Sequence, residues 1–91
     1  MVFNNKKIYP KIINVKPDLE RLTLIIHFDN GVSKEYNVKR LIEQDKTYSN
    51  LLDKAIFQLV KVEPGGYGVS WNEYLDLPES ELWENGEEYK S

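Results

Sequence analysis

Residues 65–77 (GGYGVSWNEYLDL) restrict the fold of this chain more than any other segment. The run contains three glycines, two tyrosines and one tryptophan. Glycine adopts the tight turns that other residues avoid, and aromatic side chains favour pleated, half-buried strands. Together with the earlier turn sequence Asn30-Gly31, this run indicates a small β-rich domain in which short strands are joined by tight turns.

Length and composition set the size and the compartment that we expect. A chain of 91 residues forms one domain with one modest core. Cysteine is absent, so disulfides and thiolate metal sites are excluded and packing must stabilise the fold. No signal peptide and no membrane-length apolar run is present, which predicts a cytoplasmic protein. We expect a single domain over residues 1–91, with an ordered core at about 8–86, a loose arm at 1–7 and a fraying tail at 87–91.

The first half of the chain predicts three extended segments around one hairpin. Residues 11–16 form a strand that Pro17 and Asp18 end, and residues 21–28 form a second strand with alternating apolar positions. A three-residue loop over 29–31 pairs Phe28 with Val32 and so keeps the apolar faces together. Gly31 then takes the left-handed position of a bulged turn.

The second half predicts short helices and further strands. A helix over 38–44 is capped by Asn37, and another is capped by Ser49 or Asp53. Four residues of that second helix are predicted to face inward: Leu51, Leu52, Ala55 and Ile56. Strands follow over 58–63 and 67–71, and a last helix begins after Pro78 and ends at Gly86. The fold class is therefore α+β, a small antiparallel sheet of about four to five strands with two or three short helices on one face.

No residue pattern indicates catalysis, a metal site or a cofactor site. His27, the single histidine, has no positioned partner in the sequence, so we interpret it as a structural strand residue. The carboxylates between Asp76 and Glu88 lack the spacing of a calcium loop, and we interpret them as a solvated face. The glycines at 65–68 precede a strand rather than a helix, so they do not form a phosphate loop. We expect no enzyme activity, no cofactor and no bound metal.

The aromatic residues leave two interpretations open. Trp71 and Tyr67 could form an exposed platform on which nucleic-acid bases stack. Alternatively, Trp71 anchors the core together with Phe28 and Leu24, which its alternation with Val69 favours. Tyr74 lies in a predicted loop and is the best candidate for an exposed contact. The candidate partner contacts are Tyr74, Tyr67 and Trp83.

The charges are unevenly distributed along the chain. Residues 1–40 carry eight Lys or Arg and four Asp or Glu, whereas residues 41–91 carry four and eleven. One interpretation is a basic patch for nucleic acid, and the other is ordinary solvation. The candidate basic patch comprises Lys11, Lys16, Lys34, Lys39 and Arg40.

Several short motifs occur in a recognisable order. Val-Lys-Pro at 15–17 is followed by Phe-Asp-Asn-Gly at 28–31 and Tyr-Asn-Val-Lys-Arg-Leu-Ile at 36–42. Trp71, the Asp-Leu pair at 76–77 and the Leu-Trp pair at 82–83 complete the series. Over residues 12–86 this order resembles a small bacterial family catalogued as domain of unknown function 2442. Asn37 stands where that family more often has aspartate, and Trp83 where it usually has tyrosine.

The resemblance implies a small α+β module for which no catalytic residues are established. Some members of the family are encoded beside another small protein, in an arrangement interpreted as toxin–antitoxin. We therefore expect a non-enzymatic binding module that binds another protein in a regulatory or antitoxin-like role. The alternatives are a nucleic-acid-associated protein that uses the basic first half, or an acidic nucleic-acid mimic that inhibits a DNA-binding protein. The sequence does not indicate the oligomeric state.

Overall fold

The computed structural model describes residues 8–90, and these residues form two small antiparallel sheets accompanied by short helices. The strands and α-helices are β1 (Ile12–Asp18), β2 (Thr23–Phe28), β3 (Ser33–Asn37), α1 (Val38–Gln44), α2 (Lys54–Phe57), β4 (Lys61–Val62), β5 (Gly68–Asn72), β6 (Leu75–Pro78), α3 (Glu79–Asn85) and β7 (Glu87–Glu88). Two 3₁₀ helices cover Lys46–Leu52 and Pro64–Gly66. The predicted α+β class is confirmed, but the strands divide into two sheets rather than one. The predicted arm at residues 1–7 lies outside the described residues.

The first sheet has the strand order β1-β2-β3-β7, and its central hairpin has the predicted register. The backbone N–H of Phe28 donates to the carbonyl of Val32 at 2.9 Å, and Leu24 lies opposite Tyr36. Gly31 has a φ of +86°, which confirms the left-handed position in a three-residue loop. The apolar residues of β2 and the side chain of Tyr36 on β3 therefore share the core face, whereas a two-residue loop would place Ser33 and Glu35 opposite the apolar residues of β2.

The connection between β1 and β2 differs from the prediction. β1 continues through Pro17 and Asp18, and Asp18 pairs with Thr23. Proline is tolerated because β1 is an edge strand of its sheet. The Asp18 carboxylate accepts hydrogen bonds from the backbone N–H groups of Glu20 and Arg21, at 3.1 and 3.0 Å. This local turn holds the backbone out of the ladder, so β2 begins at Thr23 rather than at residue 21.

The helices after β3 confirm one prediction and correct another. α1 spans the predicted residues, and the Asn37 side chain caps it by accepting from the N–H of Arg40 at 3.0 Å. The second predicted helix is instead a 3₁₀ helix followed by α2, separated by Asp53 in an extended conformation. That break changes the helical phase, so Leu52 and Ala55 are exposed and were wrongly predicted to face inward.

The second sheet has the strand order β4-β5-β6 and contains a strand that was not predicted. The Asn72 side chain accepts from the N–H groups of Tyr74 and Leu75, at 2.8 and 3.0 Å, and so turns the chain back into β6. β4 is shorter than predicted because Gln58 and Leu59 form a turn directly after α2, with their N–H groups donating to the carbonyls of Lys54 and Ile56.

The predicted fraying tail adds a strand to the first sheet. Glu87 and Glu88 pair with Glu35 and Lys34 as β7, and the N–H of Tyr89 donates to the carbonyl of Ser33 at 2.8 Å. The sequence did not predict this strand, because two residues are too few to show a periodic pattern. Charged residues are common in strands at a sheet edge.

One hydrophobic core lies between the two sheets and the helices. Its fully buried side chains include Phe28 on β2, Phe57 on α2 and Leu82 on α3. Trp71 is 4% exposed, its ring stacks on Phe57, and its Nε1 donates to the Phe57 carbonyl at 3.0 Å. The core interpretation of Trp71 is therefore confirmed, and its role in an exposed stacking platform is wrong.

The helices of residues 8–90 are all short. The longest α-helices have 7 residues, and none of those described has the length and apolarity needed to cross a membrane.

Candidate functional site

Tyr67 is an exposed aromatic side chain that lies where separate parts of the chain meet. It lies between the 3₁₀ turn Pro64–Gly66 and β5, and 61% of its surface is exposed. A side chain at Gly65, where φ is +82°, would lie 2.6 Å from Cε2 of the tyrosine ring, so glycine leaves the room that the ring needs. The Tyr67 carbonyl accepts from the N–H of Glu79 at 2.9 Å, which fixes the backbone below the ring.

Lys11 holds the ring from another side. Its ammonium lies 4.5 Å from the centroid of the Tyr67 ring, at the distance of a cation–π contact. The same ammonium forms an ion pair with the Glu79 carboxylate at 2.9 Å and donates to the Tyr9 carbonyl at 3.3 Å. Three separate parts of the chain thus meet at Tyr67: the segment before β1, the turn before β5 and the start of α3.

An open groove of about 450 Å³ adjoins this ring, and we call it the Tyr67 groove. It is lined by Glu63, Pro64, Tyr67, Gly68, Val69, Asp76, Leu77 and Pro78. Gly68 and Pro78 lie opposite each other on β5 and β6. A Cβ at Gly68 would meet the Leu77 carbonyl oxygen at 2.5 Å, so this glycine allows the close strand approach that its position between β-residues indicates.

The structure does not bring the three candidate partner contacts together. Tyr67 precedes β5, whereas Tyr74 lies in the turn at the opposite end of the β5–β6 hairpin and is 81% exposed. Trp83 is half-buried on α3, with its ring edge-to-face against Phe28 at a centroid distance of 5.0 Å. Trp83 is thus mainly a packing residue, and Tyr67 and Tyr74 are the exposed aromatic members of the set.

The candidate basic patch is divided among different parts of the fold. Lys34 is in register with the buried Ile26, and its ammonium lies 4.0 Å from the Trp83 ring centroid and donates to the Trp83 carbonyl. Lys11 is engaged with Tyr67 and Glu79 as described above. Lys16 is exposed on β1, opposite Ile25. The two remaining members, Lys39 and Arg40, are exposed on the first turn of α1.

Three of the six acidic side chains between Asp76 and Glu88 take part in internal contacts. Glu79 pairs with Lys11, Glu81 accepts from the Tyr36 hydroxyl at 2.8 Å, and Glu84 accepts from the Tyr9 hydroxyl at 2.7 Å. Asp76 is exposed on β6, and no hydrogen bond to its carboxylate is found within residues 8–90. In the same range, no group of three or more His, Asp or Glu side chains is arranged to hold a metal ion.

Tyr36 is the ionisable side chain whose environment is most altered. It is buried on β3, and its hydroxyl faces the Glu81 carboxylate on α3. Burial first, and then the hydrogen bond and the negative charge of Glu81, raise the pKa of Tyr36 above its ordinary range. This contact joins a strand to a helix inside the fold, so it is a structural feature rather than part of an exposed site.

His27 has a partner that the sequence did not indicate. Its Nδ1 lies 2.6 Å from the Ser33 hydroxyl, because the two residues face each other across β2 and β3. A catalytic pair also needs a group that orients the imidazole and donors for a developing oxyanion. Within residues 8–90 no second hydrogen bond to the imidazole is found. The contact has the form of a cross-strand polar pair.

The sequence contained both members of the Lys11–Tyr67 contact but no sign that they meet. They are 56 positions apart, and no periodic pattern spans such a distance. Gly65 leaves room for the Tyr67 ring, but a glycine in a turn sequence does not by itself indicate this contact. The tertiary arrangement of the sheets decides whether Lys11 reaches the Tyr67 ring.

Comparison with protein-family models gives one match that covers most of the chain. The model of the family described as a protein of unknown function (DUF2442) matches residues 12–88, which extends from the start of β1 to the end of β7. Searches of curated proteins and of solved structures found no match. The match covers well over half of the chain and agrees with the resemblance seen in its motifs. The chain therefore belongs to the DUF2442 family.

Proposed function

We propose that this protein is a non-enzymatic binding module whose partner is another protein, bound through the surface around Tyr67. The observation that carries the proposal is that Tyr67 is 61% exposed while its ring contacts the Lys11 ammonium and occupies the space that Gly65 leaves. An aromatic side chain has only two rotatable side-chain bonds, so it loses little conformational entropy when a partner covers it. Tyrosine is also enriched among the residues that dominate protein–protein binding energy.

Charge supports a protein partner over nucleic acid. The net charge is −3, and the five candidate basic residues lie on separate parts of the fold, with two of them engaged by aromatic rings. Nucleic-acid affinity depends on several cations acting together on phosphates. An acidic mimic of nucleic acid would need an array of free carboxylates, whereas Glu79, Glu81 and Glu84 bind internal partners.

A regulatory or antitoxin-like role is part of the proposal, and its support is the resemblance to the family. In such a role the module would bind a second protein stoichiometrically and change that protein's activity. The residues that line the Tyr67 groove are suited to binding a partner.

The test is capture of a partner by matched variants. The wild-type protein, Tyr67→Ala and Tyr74→Ala are immobilised and exposed to lysate of the native host at physiological salt, and bound proteins are identified by mass spectrometry. We expect a stoichiometric protein on the wild type and on Tyr74→Ala, and its loss on Tyr67→Ala. The two substitutions remove the same side chain at opposite ends of one hairpin, so the comparison isolates the Tyr67 surface.

Two results would contradict the proposal. One is the absence of any protein retained above a blank matrix, together with tight binding of nucleic acid to the same immobilised protein. The other is equal retention by wild type and Tyr67→Ala, which would move the binding surface elsewhere. Circular dichroism of each variant confirms that a lost interaction does not reflect unfolding.

A further inference from the structure

We infer that the Tyr67 groove binds an extended, proline-containing segment of a partner protein that carries an arginine or lysine. The inference rests on the proposed function, because it names the chemistry of the partner at that same surface. Three properties of the groove support this inference: its apolar walls, its negatively charged side chains and the small number of free backbone groups on the neighbouring edge of β6.

The walls of the groove suit a proline-containing segment. Tyr67, Pro64 and Pro78 are exposed and contribute rigid ring surfaces on its two sides. Between them lies Gly68, which also lines the groove and where the backbones of β5 and β6 approach closely. Segments in the polyproline conformation dock into grooves of this kind because their rings pack on aromatic faces and their backbone is already extended.

The charges of the groove favour a cationic residue in the partner. Both charged residues that line it are carboxylates, Glu63 and Asp76. Glu63 accepts from the Ser70 hydroxyl, whereas the Asp76 carboxylate is exposed. The nearest lysine in the sheet, Lys61, is separated from Asp76 by Ser70 in the cross-strand row. Lys11, on the other side of Tyr67, is paired with Glu79.

The adjacent edge of β6 disfavours binding of a partner as an added β-strand. Pro78 has no backbone N–H, and the Asp76 carbonyl already accepts from the Tyr48 hydroxyl at 3.0 Å. An added strand would find few free backbone groups there. A segment that binds through its side chains, with its own backbone solvated, does not need those groups.

The experiment uses synthetic peptides and the ¹⁵N-labelled full-length protein. The probe is a capped peptide of alternating alanine and proline with an arginine at each end. Two matched peptides replace the arginines by glutamate or the prolines by glycine. We expect saturable shifts of the Tyr67, Gly68 and Asp76 amides with the first peptide, at a dissociation constant on the order of 0.1 mM. The other two peptides should bind at least about fivefold more weakly.

Matched variants of the protein distinguish a local effect at the Tyr67 groove from a general effect on charge or folding. Asp76→Asn should weaken binding of the arginine peptide about three- to fivefold and reduce its salt dependence, as expected for an exposed ion pair. Glu73→Gln removes the same charge at the far end of the hairpin and should leave the affinity unchanged. Tyr67→Ala should weaken binding about tenfold or more, whereas Tyr74→Ala should not.

Three outcomes would overturn the inference: no saturable shift with the arginine peptide, equal binding of the glutamate or glycine peptide, or equal effects of Asp76→Asn and Glu73→Gln. A single-stranded oligothymidylate that shifts the same amides more strongly would also overturn it. The proposed function is judged separately by the capture experiment. If a protein is captured through Tyr67 but the arginine peptide does not bind, the inference fails and the proposed function stands.

Discussion

Trp71 connects the second sheet to α2 through both its ring and its indole nitrogen. The ring stacks on Phe57 at a centroid distance of 6.3 Å, and Nε1 donates to the carbonyl of the same residue. Burial of an indole without a hydrogen-bond partner would be unfavourable, so this one contact satisfies both the apolar and the polar part of the side chain.

We predict that Trp71→Ala lowers the free energy of unfolding by about 3–5 kcal/mol, because it removes a large buried aromatic side chain and leaves a cavity. Trp71→Phe retains a ring but leaves the Phe57 carbonyl with only the longer hydrogen bond from the Val60 N–H, at 3.4 Å, and should cost about 1–3 kcal/mol. Urea denaturation gives both values. Tyr74→Ala is the exposed control and should change stability by less than about 0.5 kcal/mol. A Trp71→Ala midpoint close to that of the wild type would contradict the buried position of the indole.

Two glycines with positive φ should respond differently to alanine. Gly31 has a φ of +86° and nothing within 4 Å of a Cβ, so Gly31→Ala should cost only the conformational strain of about 1 kcal/mol. Gly66 has a φ of +77°, and a Cβ there would lie 2.5 Å from the backbone oxygen of Ile12. Gly66→Ala must displace β1 and should cost about 2–3 kcal/mol. Equal denaturation midpoints for the two variants would contradict the close approach of Gly66 to β1.

Among the secondary-structure elements, β3 and α3 are joined by a polar contact at the margin of the core. The buried Tyr36 hydroxyl donates to Glu81 at 2.8 Å, and Lys34 from the same strand reaches the carbonyl of Trp83. Both bonds attach α3 to the first sheet, although the chain enters α3 directly from the second sheet. The helix therefore connects the two sheets.

Stability should decrease at alkaline pH because of Tyr36. Burial and Glu81 raise its pKa in the folded protein above the ordinary value of 10.0. Above pH 10 the unfolded chain loses the phenol proton while the folded protein retains it, so the free energy of unfolding falls as pH rises. The stabilisation that Tyr36 contributes is fully present below pH 10. It decreases between pH 10 and the higher pKa of Tyr36 in the folded protein, by no more than about 1.4 kcal/mol per pH unit.

The measurement is urea denaturation of wild type and Tyr36→Phe from neutral pH to above pH 10. The variant should show a smaller decrease in stability at high pH, with Tyr74→Phe as the control that retains the wild-type slope. Tyr48, whose pKa burial also raises, should account for part of the decrease that remains in Tyr36→Phe. Parallel pH profiles for wild type and Tyr36→Phe would show that Tyr36 is not protected as the structure indicates.

For the protein as a whole, we predict weak nucleic-acid binding without sequence preference. Its net charge is −3, and the five candidate basic residues, all within residues 8–90, are divided among the segment before β1, β1, β3 and α1. A gel-shift titration at physiological salt should give a dissociation constant weaker than about 1 μM, and residual binding at low salt should vanish as salt is raised. Tighter binding, or clear discrimination between sequences, would place nucleic-acid recognition ahead of protein binding.

Local features of the fold were predictable where neighbouring residues decide them. Asn37 caps α1, Gly31 closes the β2–β3 loop, and Gly86 ends α3, as the sequence indicated. The Asn37 cap depends on one side-chain hydrogen bond, and the Gly31 loop on the left-handed conformation of one residue. Gly86 has a φ of −81°, and glycine suits that position because a Cβ would meet the Leu82 carbonyl oxygen at 2.5 Å. The same reasoning failed at Leu52 and Ala55, because the extended Asp53 between them interrupts the helical phase.

The amino-acid sequence alone determined the α+β class, the register of the central hairpin, the capped helices and the burial of Trp71, because these follow from local periodicity and turn chemistry. The division of the strands into two sheets, the addition of β7 and the meeting of Lys11, Tyr67 and Glu79 depended on the tertiary structure. Lys11 is 56 positions from Tyr67 and 68 from Glu79, and β7 pairs with β3 residues 52 to 54 positions away. Such pairs form only when the shared core has brought their elements together, so no local preference encodes them.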